Sequence, residues 1–85
     1  MDPQLATWLY EGAVALHNGD KQRAQELLLK VVEADETCVD AWLWLSGAVD
    51  DPDDQRTALE NVLALSPNNR HAREGLAYLD RQNAR

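Results

Sequence analysis

Four short breaks divide the 85-residue chain into five segments of similar length, and this spacing limits the chain to a small set of folds. The breaks are rich in residues that end helices: Asn18-Gly19-Asp20, Asp35-Glu36-Thr37-Cys38, Asp50-Asp51-Pro52 and Ser66-Pro67-Asn68-Asn69. Between them lie segments 3–17, 20–34, 39–50, 52–65 and 69–83. Each segment repeats its apolar residues at helical spacing, and none alternates as a strand would. Since linkers this short make consecutive helices antiparallel neighbours, the pattern predicts an all-α fold of helical hairpins.

The ends of the segments carry specific helix signals. Asp2 before Pro3 and Asp51 before Pro52 are each typical of an N-cap followed by proline at the first helical position. Gly19 is predicted to take the left-handed backbone conformation that ends a helix. Segments 3–17 and 39–50 are apolar nearly all round, so both helices are expected to be covered on more than one side.

Size, charge and cysteine content exclude several classes of protein. At 9.5 kDa the chain forms one domain, predicted to span residues 1–85, with room for one modest core. Fifteen acidic residues against eight basic ones would repel phosphate backbones, so nucleic acid is not an expected partner. One cysteine allows no intrachain disulfide, and the start MDPQLATW lacks the pattern of a secretion signal. No apolar run is long enough to span a membrane, so we expect a cytoplasmic protein without a membrane partner.

The helical segments repeat. Trp8 and Trp42 are 34 residues apart, as are Leu9 and Leu43. Further along, the offset drops to 31, and it relates the pairs Leu28 with Leu59, Val31 with Val62, Val32 with Leu63 and Ala34 with Leu65. The two hairpins are therefore the same unit, with a tighter turn in the second. The last segment matches a third first helix at offset 31 but has a polar outer face, which is typical of a helix that closes a stack.

These residues resemble the tetratricopeptide repeat, in degenerate forms common in bacterial proteins. Repeat one matches the family pattern at Trp8, Gly12, the Gly19-Asp20 turn and Ala24, and repeat two matches it at Trp42, Leu45 and the ending Leu65-Ser66-Pro67-Asn68-Asn69. The chain departs from the pattern at Glu11, Ala15, Glu36, Ser46 and Val49. The resemblance implies repeats at about 5–38 and 39–69, stacked as a short right-handed solenoid and closed by a helix at about 70–83. The alternative is another five-helix bundle, in which the same apolar stripes form an ordinary core.

The resemblance also implies a concave groove lined by the first helix of each hairpin and by the closing helix. Family positions carried over residue by residue predict that the groove is lined by Leu9, Ala13, Leu16, His17, Asp40, Leu43, Gly47, Asp50, Glu74, Tyr78 and Arg81. Exposed apolar residues with a charged rim are typical of an interaction site.

The sequence contains no arrangement typical of catalysis, so we expect a non-enzymatic protein without cofactor or metal. Four carboxylates at residues 50–54 suit a hard cation, but they suit the first turn of a helix better. His17 and His71 lack a second ligand at helical spacing, and Cys38 stands alone in a break.

Charge is distributed unevenly. Residues 31–55 carry eight acidic groups and no Lys or Arg. One interpretation is a solvated surface without a partner. The other is a protein-binding module whose peptide or protein partner presents an apolar segment flanked by Lys or Arg. A third hypothesis is a self-associating structural unit that forms a homo-oligomer or stacked assembly through groove or end-to-end contacts, because two repeats are fewer than such stacks usually need.

Overall fold

The computed structural model describes residues 2–83, and these residues form five α-helices and no strand. The helices are α1 (Pro3–His17), α2 (Lys21–Ala34), α3 (Val39–Ala48), α4 (Pro52–Leu65) and α5 (Arg70–Asn83). The predicted all-α fold is confirmed, and every helix boundary lies within two residues of the predicted one. The largest difference is at the end of α3, which stops two residues early.

The predicted helix caps are present. The Asp2 carboxylate accepts a hydrogen bond from the backbone N–H of Gln4 at 2.8 Å, and the Asp51 carboxylate accepts one from Asp53 at 2.8 Å. Gly19 has a φ of 84°, as predicted for the turn between α1 and α2. Each aspartate thus satisfies a backbone donor that has no partner inside the helix.

Two glutamine side chains explain why α3 ends early. Val49 has extended backbone angles, which leaves the last carbonyls of the helix without helical partners. Gln25 of α2 donates from Nε2 to the Ala48 carbonyl at 2.6 Å, and Gln55 of α4 donates to the Val49 carbonyl at 2.9 Å. Both bonds are partly buried, so the neighbouring helices satisfy carbonyls that water reaches poorly.

The break between α2 and α3 is a hydrogen-bonded turn. Thr37 donates from its hydroxyl and its backbone N–H to one oxygen of Asp35, at 2.6 and 3.0 Å. These bonds favour the charged carboxylate and hold the pKa of Asp35 below its ordinary value. Cys38, which follows the turn, is buried.

Consecutive helices pack against one another along the chain, and α1 also packs against α3. The molecule measures 43 by 27 by 17 Å. Because a helix with its side chains is about 10 Å wide, the shortest dimension corresponds to two layers of helices. This is the arrangement expected of stacked hairpins, and the right-handed solenoid remains a prediction.

The core has two parts. The first cluster lies between α1, α2 and α3, and its buried residues are Ala15, Ala24, Leu28, Val31, Val32, Cys38, Ala41, Leu45 and Ala48. The second cluster lies between α4 and α5, and its buried residues are Leu59, Val62, Ala72 and Leu79. Among the described residues, Trp42 is the one side chain that packs against both clusters. Its indole N–H also donates to the Glu36 carbonyl at 2.9 Å.

Over residues 2–83, no helix has both the length and the apolar character that crossing a bilayer requires.

Two helical glycines should respond in opposite directions to alanine. A Cβ at Gly12 would lie 2.9 Å from Cγ of Leu28, which is fully buried and has no room to move. A Cβ at Gly47 would meet only Cδ2 of Leu16, at 3.4 Å. Gly12→Ala should therefore destabilise the fold by about 1–3 kcal/mol. Gly47→Ala should stabilise it by up to about 1 kcal/mol, because alanine is the better helix former. Urea unfolding of both variants measures this, and equal stabilities would contradict the α1–α2 packing described above.

Trp42 should be the most costly tryptophan to remove. Trp42→Ala deletes packing from both clusters and the bond to Glu36, so we expect a loss of about 3–5 kcal/mol in the free energy of unfolding. Trp44→Ala is the matched control on the same helix; Trp44 is 43% exposed, and its loss should cost about 1 kcal/mol or less. Similar melting temperatures for the two variants would show that Trp42 does not hold the clusters together.

Candidate functional site

An open groove of about 690 Å³ lies between α3 and α5, with α4 as its floor. Four residues of α3, two of α4 and four of α5 line it: Asp40, Leu43, Trp44, Ser46, Gln55, Leu59, His71, Gly75, Tyr78 and Leu79. A smaller depression, of about 460 Å³, borders α1.

The groove exists because α5 seats closely on α4 and is not closely packed against α3. A Cβ at Gly75 would lie 2.8 Å from Cδ1 of Leu59. The α5 backbone therefore lies closer to Leu59 of α4 than a residue with a side chain would allow. On the other side of α3 the arrangement differs, since Leu16 of α1 fills the space beside Gly47. The space between α1 and α3 is therefore filled by a side chain, whereas the space between α3 and α5 is open.

The walls of the groove are apolar and partly exposed. Trp44 on α3 is 43% exposed, and Tyr78 on α5 is 55% exposed. Leu43 is half-buried beside Trp44, while Leu59 and Leu79 are buried at the floor and the α5 wall. Two large aromatic rings thus line one concave surface that already has an apolar base, which is the composition of many interaction sites.

The polar residues of the groove fall into two groups. Ser46 donates to the Leu43 carbonyl of its own helix at 2.6 Å, and Gln55 donates to the Val49 carbonyl that follows α3 at 2.9 Å. Both side chains are therefore already hydrogen-bonded to the backbone. Asp40 and His71 are exposed, and within residues 2–83 neither forms an ion pair. Asp40 is the one carboxylate in the lining.

Three of the eleven residues predicted for the groove lie in its lining, namely Asp40, Leu43 and Tyr78. The predicted residues of α1 lie elsewhere. Leu9 and Leu16 are half-buried and pack against the first cluster, Ala13 is half-buried, and His17 is exposed at the end of the helix. That a partner contacts these residues of α1 remains a prediction.

The remaining predicted residues are exposed outside the lining. Two of them have partners within the chain: Asp50 pairs with Lys21 at 2.6 Å, and Glu74 pairs with Arg70 at 2.9 Å. The other two, Gly47 and Arg81, are exposed on α3 and α5.

Sequence reasoning missed Trp44, although a signal for it exists. Trp42 and Trp44 are two residues apart on α3, so they point about 200° apart around the helix. When Trp42 is assigned to the core, Trp44 must face the opposite side. Leu59, His71 and Leu79 offered no comparable signal, because their place in the groove depends on how α5 is oriented.

A second apolar surface lies on α1. Tyr10 is 71% exposed and Val14 is 39% exposed, one helical turn apart. They border a shallow depression with Glu11 and Arg23, whose charged groups are 3.8 Å apart. This surface lies on a different helix from the groove.

Two of the four aspartates at residues 50–54 have partners within the described part of the chain. Asp51 caps α4, as predicted, and Asp50 pairs with Lys21. Across the described part of the chain, no three His, Cys, Asp or Glu side chains are grouped so that they could hold a metal ion.

No protein-family model matches the chain. A search of curated proteins likewise found no match in sequence.

Proposed function

We propose that this protein is a non-enzymatic, cytoplasmic interaction module of tetratricopeptide-like type that binds an apolar segment of a partner protein in the groove between α3 and α5. The observation that carries the proposal is the exposure of Trp44 and Tyr78 on one concave surface with an apolar floor. Large exposed aromatic residues lower the solubility of a protein, and they are enriched at protein–protein interfaces.

The shape of the groove favours a segment of polypeptide over a small molecule. Small-molecule sites of this volume usually bury most of their ligand. Here Asp40, Trp44, His71 and Tyr78 are all exposed, so a small ligand would stay largely in water. A helix or extended segment can instead place one face on the floor and leave the other to solvent.

The charge of the surroundings favours a partner with basic residues beside its apolar face. The stretch from residue 31 to residue 55, which includes all of α3, carries eight acidic residues and no Lys or Arg. Complementary charge mainly speeds association, whereas buried apolar contacts slow dissociation. The groove should therefore retain binding at high salt, with a slower association rate.

The test is selection from a library of short random peptides displayed on phage, with the purified protein as target. Selected peptides should combine apolar residues with Lys or Arg. Trp44→Ser and Tyr78→Ser should each weaken their binding by at least about tenfold, which is typical of interface residues that contribute strongly. Isothermal titration calorimetry with synthetic copies of the selected peptides measures the change.

Tyr10→Ser provides the matched control, since it removes an equally large exposed aromatic from α1. Binding that survives Trp44→Ser and Tyr78→Ser but is lost in Tyr10→Ser would move the site to α1. Failure to select any peptide that distinguishes the wild type from the Trp44→Ser, Tyr78→Ser double variant would contradict the proposal.

The second candidate function is self-association, and the exposed face of α1 supports it. At the repeat offset of 34, Glu11 and Val14 correspond to Leu45 and Ala48, which are buried where α3 packs in the first cluster. On α1 both of these positions are exposed, and so is the adjacent Tyr10, which corresponds to the exposed Trp44 of α3. A second copy could cover this face, as α2 covers α3.

Sedimentation velocity over a dilution series tests self-association. If it occurs through α1, the sedimentation coefficient should rise with concentration, and Tyr10→Glu should abolish the rise, because a charge would enter an apolar contact. Tyr78→Glu is the control on α5 and should leave the α1 contact unchanged. A mass equal to one chain at every concentration contradicts this second function.

A further inference from the structure

We propose that the groove contains a subsite for an arginine side chain of the partner segment, formed by the rings of Trp44 and Tyr78 and the carboxylate of Asp40. This inference rests on the proposed function of the groove and specifies one residue of the ligand. Two observations support it: the aromatic rings and the carboxylate line the same groove, and this carboxylate takes part in none of the ion pairs of residues 2–83.

Trp44 and Tyr78 provide the aromatic part of the subsite. A cation held against the face of an aromatic ring is attracted by the negative face of the π system, and tryptophan is the strongest partner. The chain uses this interaction once internally, because Nζ of Lys30 lies 5.4 Å from the centre of the Trp8 ring. Trp44 has no such cation among the described residues, and its groove lining includes neither Lys nor Arg.

Asp40 provides the counter-charge. Within residues 2–83, the four ion pairs are Lys21–Asp50, Arg23–Glu11, Arg56–Asp80 and Arg70–Glu74. Asp40 takes part in none of them, although it lies in the same groove as the two exposed rings. Among residues 2–83 no Lys or Arg pairs with Asp40, so the groove presents one carboxylate and two aromatic rings to a cation that a partner segment would supply.

Arginine fits this combination better than lysine. Its guanidinium is planar, stacks on aromatic faces and pairs with a carboxylate through two parallel N–H groups. It is also less strongly hydrated than an ammonium, so it enters a partly apolar groove with less loss of solvation. Leucine or similar residues on either side of the arginine would contact the apolar lining formed by Leu43, Leu59 and Leu79.

The experiment uses two acetylated, amidated pentapeptides with a central residue flanked by leucines, one with arginine and one with its neutral isostere citrulline. Each is titrated into the ¹⁵N-labelled protein at up to millimolar concentration. The chain has three tryptophans, so three indole N–H signals report separately on the groove (Trp44), the core (Trp42) and α1 (Trp8). We expect the arginine peptide to shift the Trp44 signal and to bind about tenfold more tightly than the citrulline peptide.

The variants assign this preference to the subsite. Asp40→Asn and Trp44→Leu should each reduce the ratio of the two affinities to about threefold or less, and both together should bring it close to one. Tyr10→Leu, outside the groove, should leave the ratio unchanged. If both peptides still bind these variants but with nearly equal affinity, Asp40 and Trp44 interact with the charge of the arginine and are not merely needed for the shape of the groove.

The contrary outcomes are distinct. Equal affinity of the two peptides for the wild type, with a shift of Trp44, overturns the arginine subsite and leaves the groove as a peptide site. No shift of Trp44 by either peptide overturns the subsite and contradicts the proposed function of the groove. Concentration-dependent association of the protein alone that is lost in Arg81→Gln would assign the subsite to a second copy and overturn the external partner.

Discussion

The fold depends on the position of one side chain, Trp42, between two small cores. The first cluster is built from α1, α2 and α3, the second from α4 and α5, and the indole ring packs against both while its N–H satisfies the Glu36 carbonyl. Small domains bury a limited fraction of their surface, so a contact shared by both clusters is expected to matter for the stability of the whole domain. The same ring anchors α3, which forms one wall of the groove.

The two-layer arrangement leaves a large part of each helix accessible to solvent. The accessible surface is 5581 Å², whereas the scaling law for compact proteins of this mass gives roughly 5,000 Å². In a slab 17 Å thick, every helix has one side in water. Helix α3 buries Ala41, Leu45 and Ala48 toward α2, so Trp44, on another side of the helix, is left at the surface. The proposed interaction site is therefore a direct result of stacking apolar helices in only two layers.

Much of the fold could be predicted from particular residues. Pro3, Gly19 and Pro52 act on their own backbone angles, and Asp2 and Asp51 act on donors two residues away, so the helix starts and the first turn are local properties. The end of α3 was less accurate, because Gln25 and Gln55 act on it from other helices. The candidate site was predicted only in part. Asp40, Leu43 and Tyr78 lie in the groove, whereas Leu9 and Leu16 pack against the first cluster.

The sequence by itself determined the number of helices, where they begin, the repeat and the residues of the apolar stripes, because each depends on spacing along the chain and on interactions within a few residues. Only the tertiary structure decided which of these stripes are covered. Leu16 packs beside Gly47 between α1 and α3, while the α5 backbone approaches Leu59 of α4 closely at Gly75, and Trp44 of α3 stays exposed on that side. The distance between two helices depends on the summed volumes of side chains from distant parts of the chain, and no local pattern in the sequence encodes that sum.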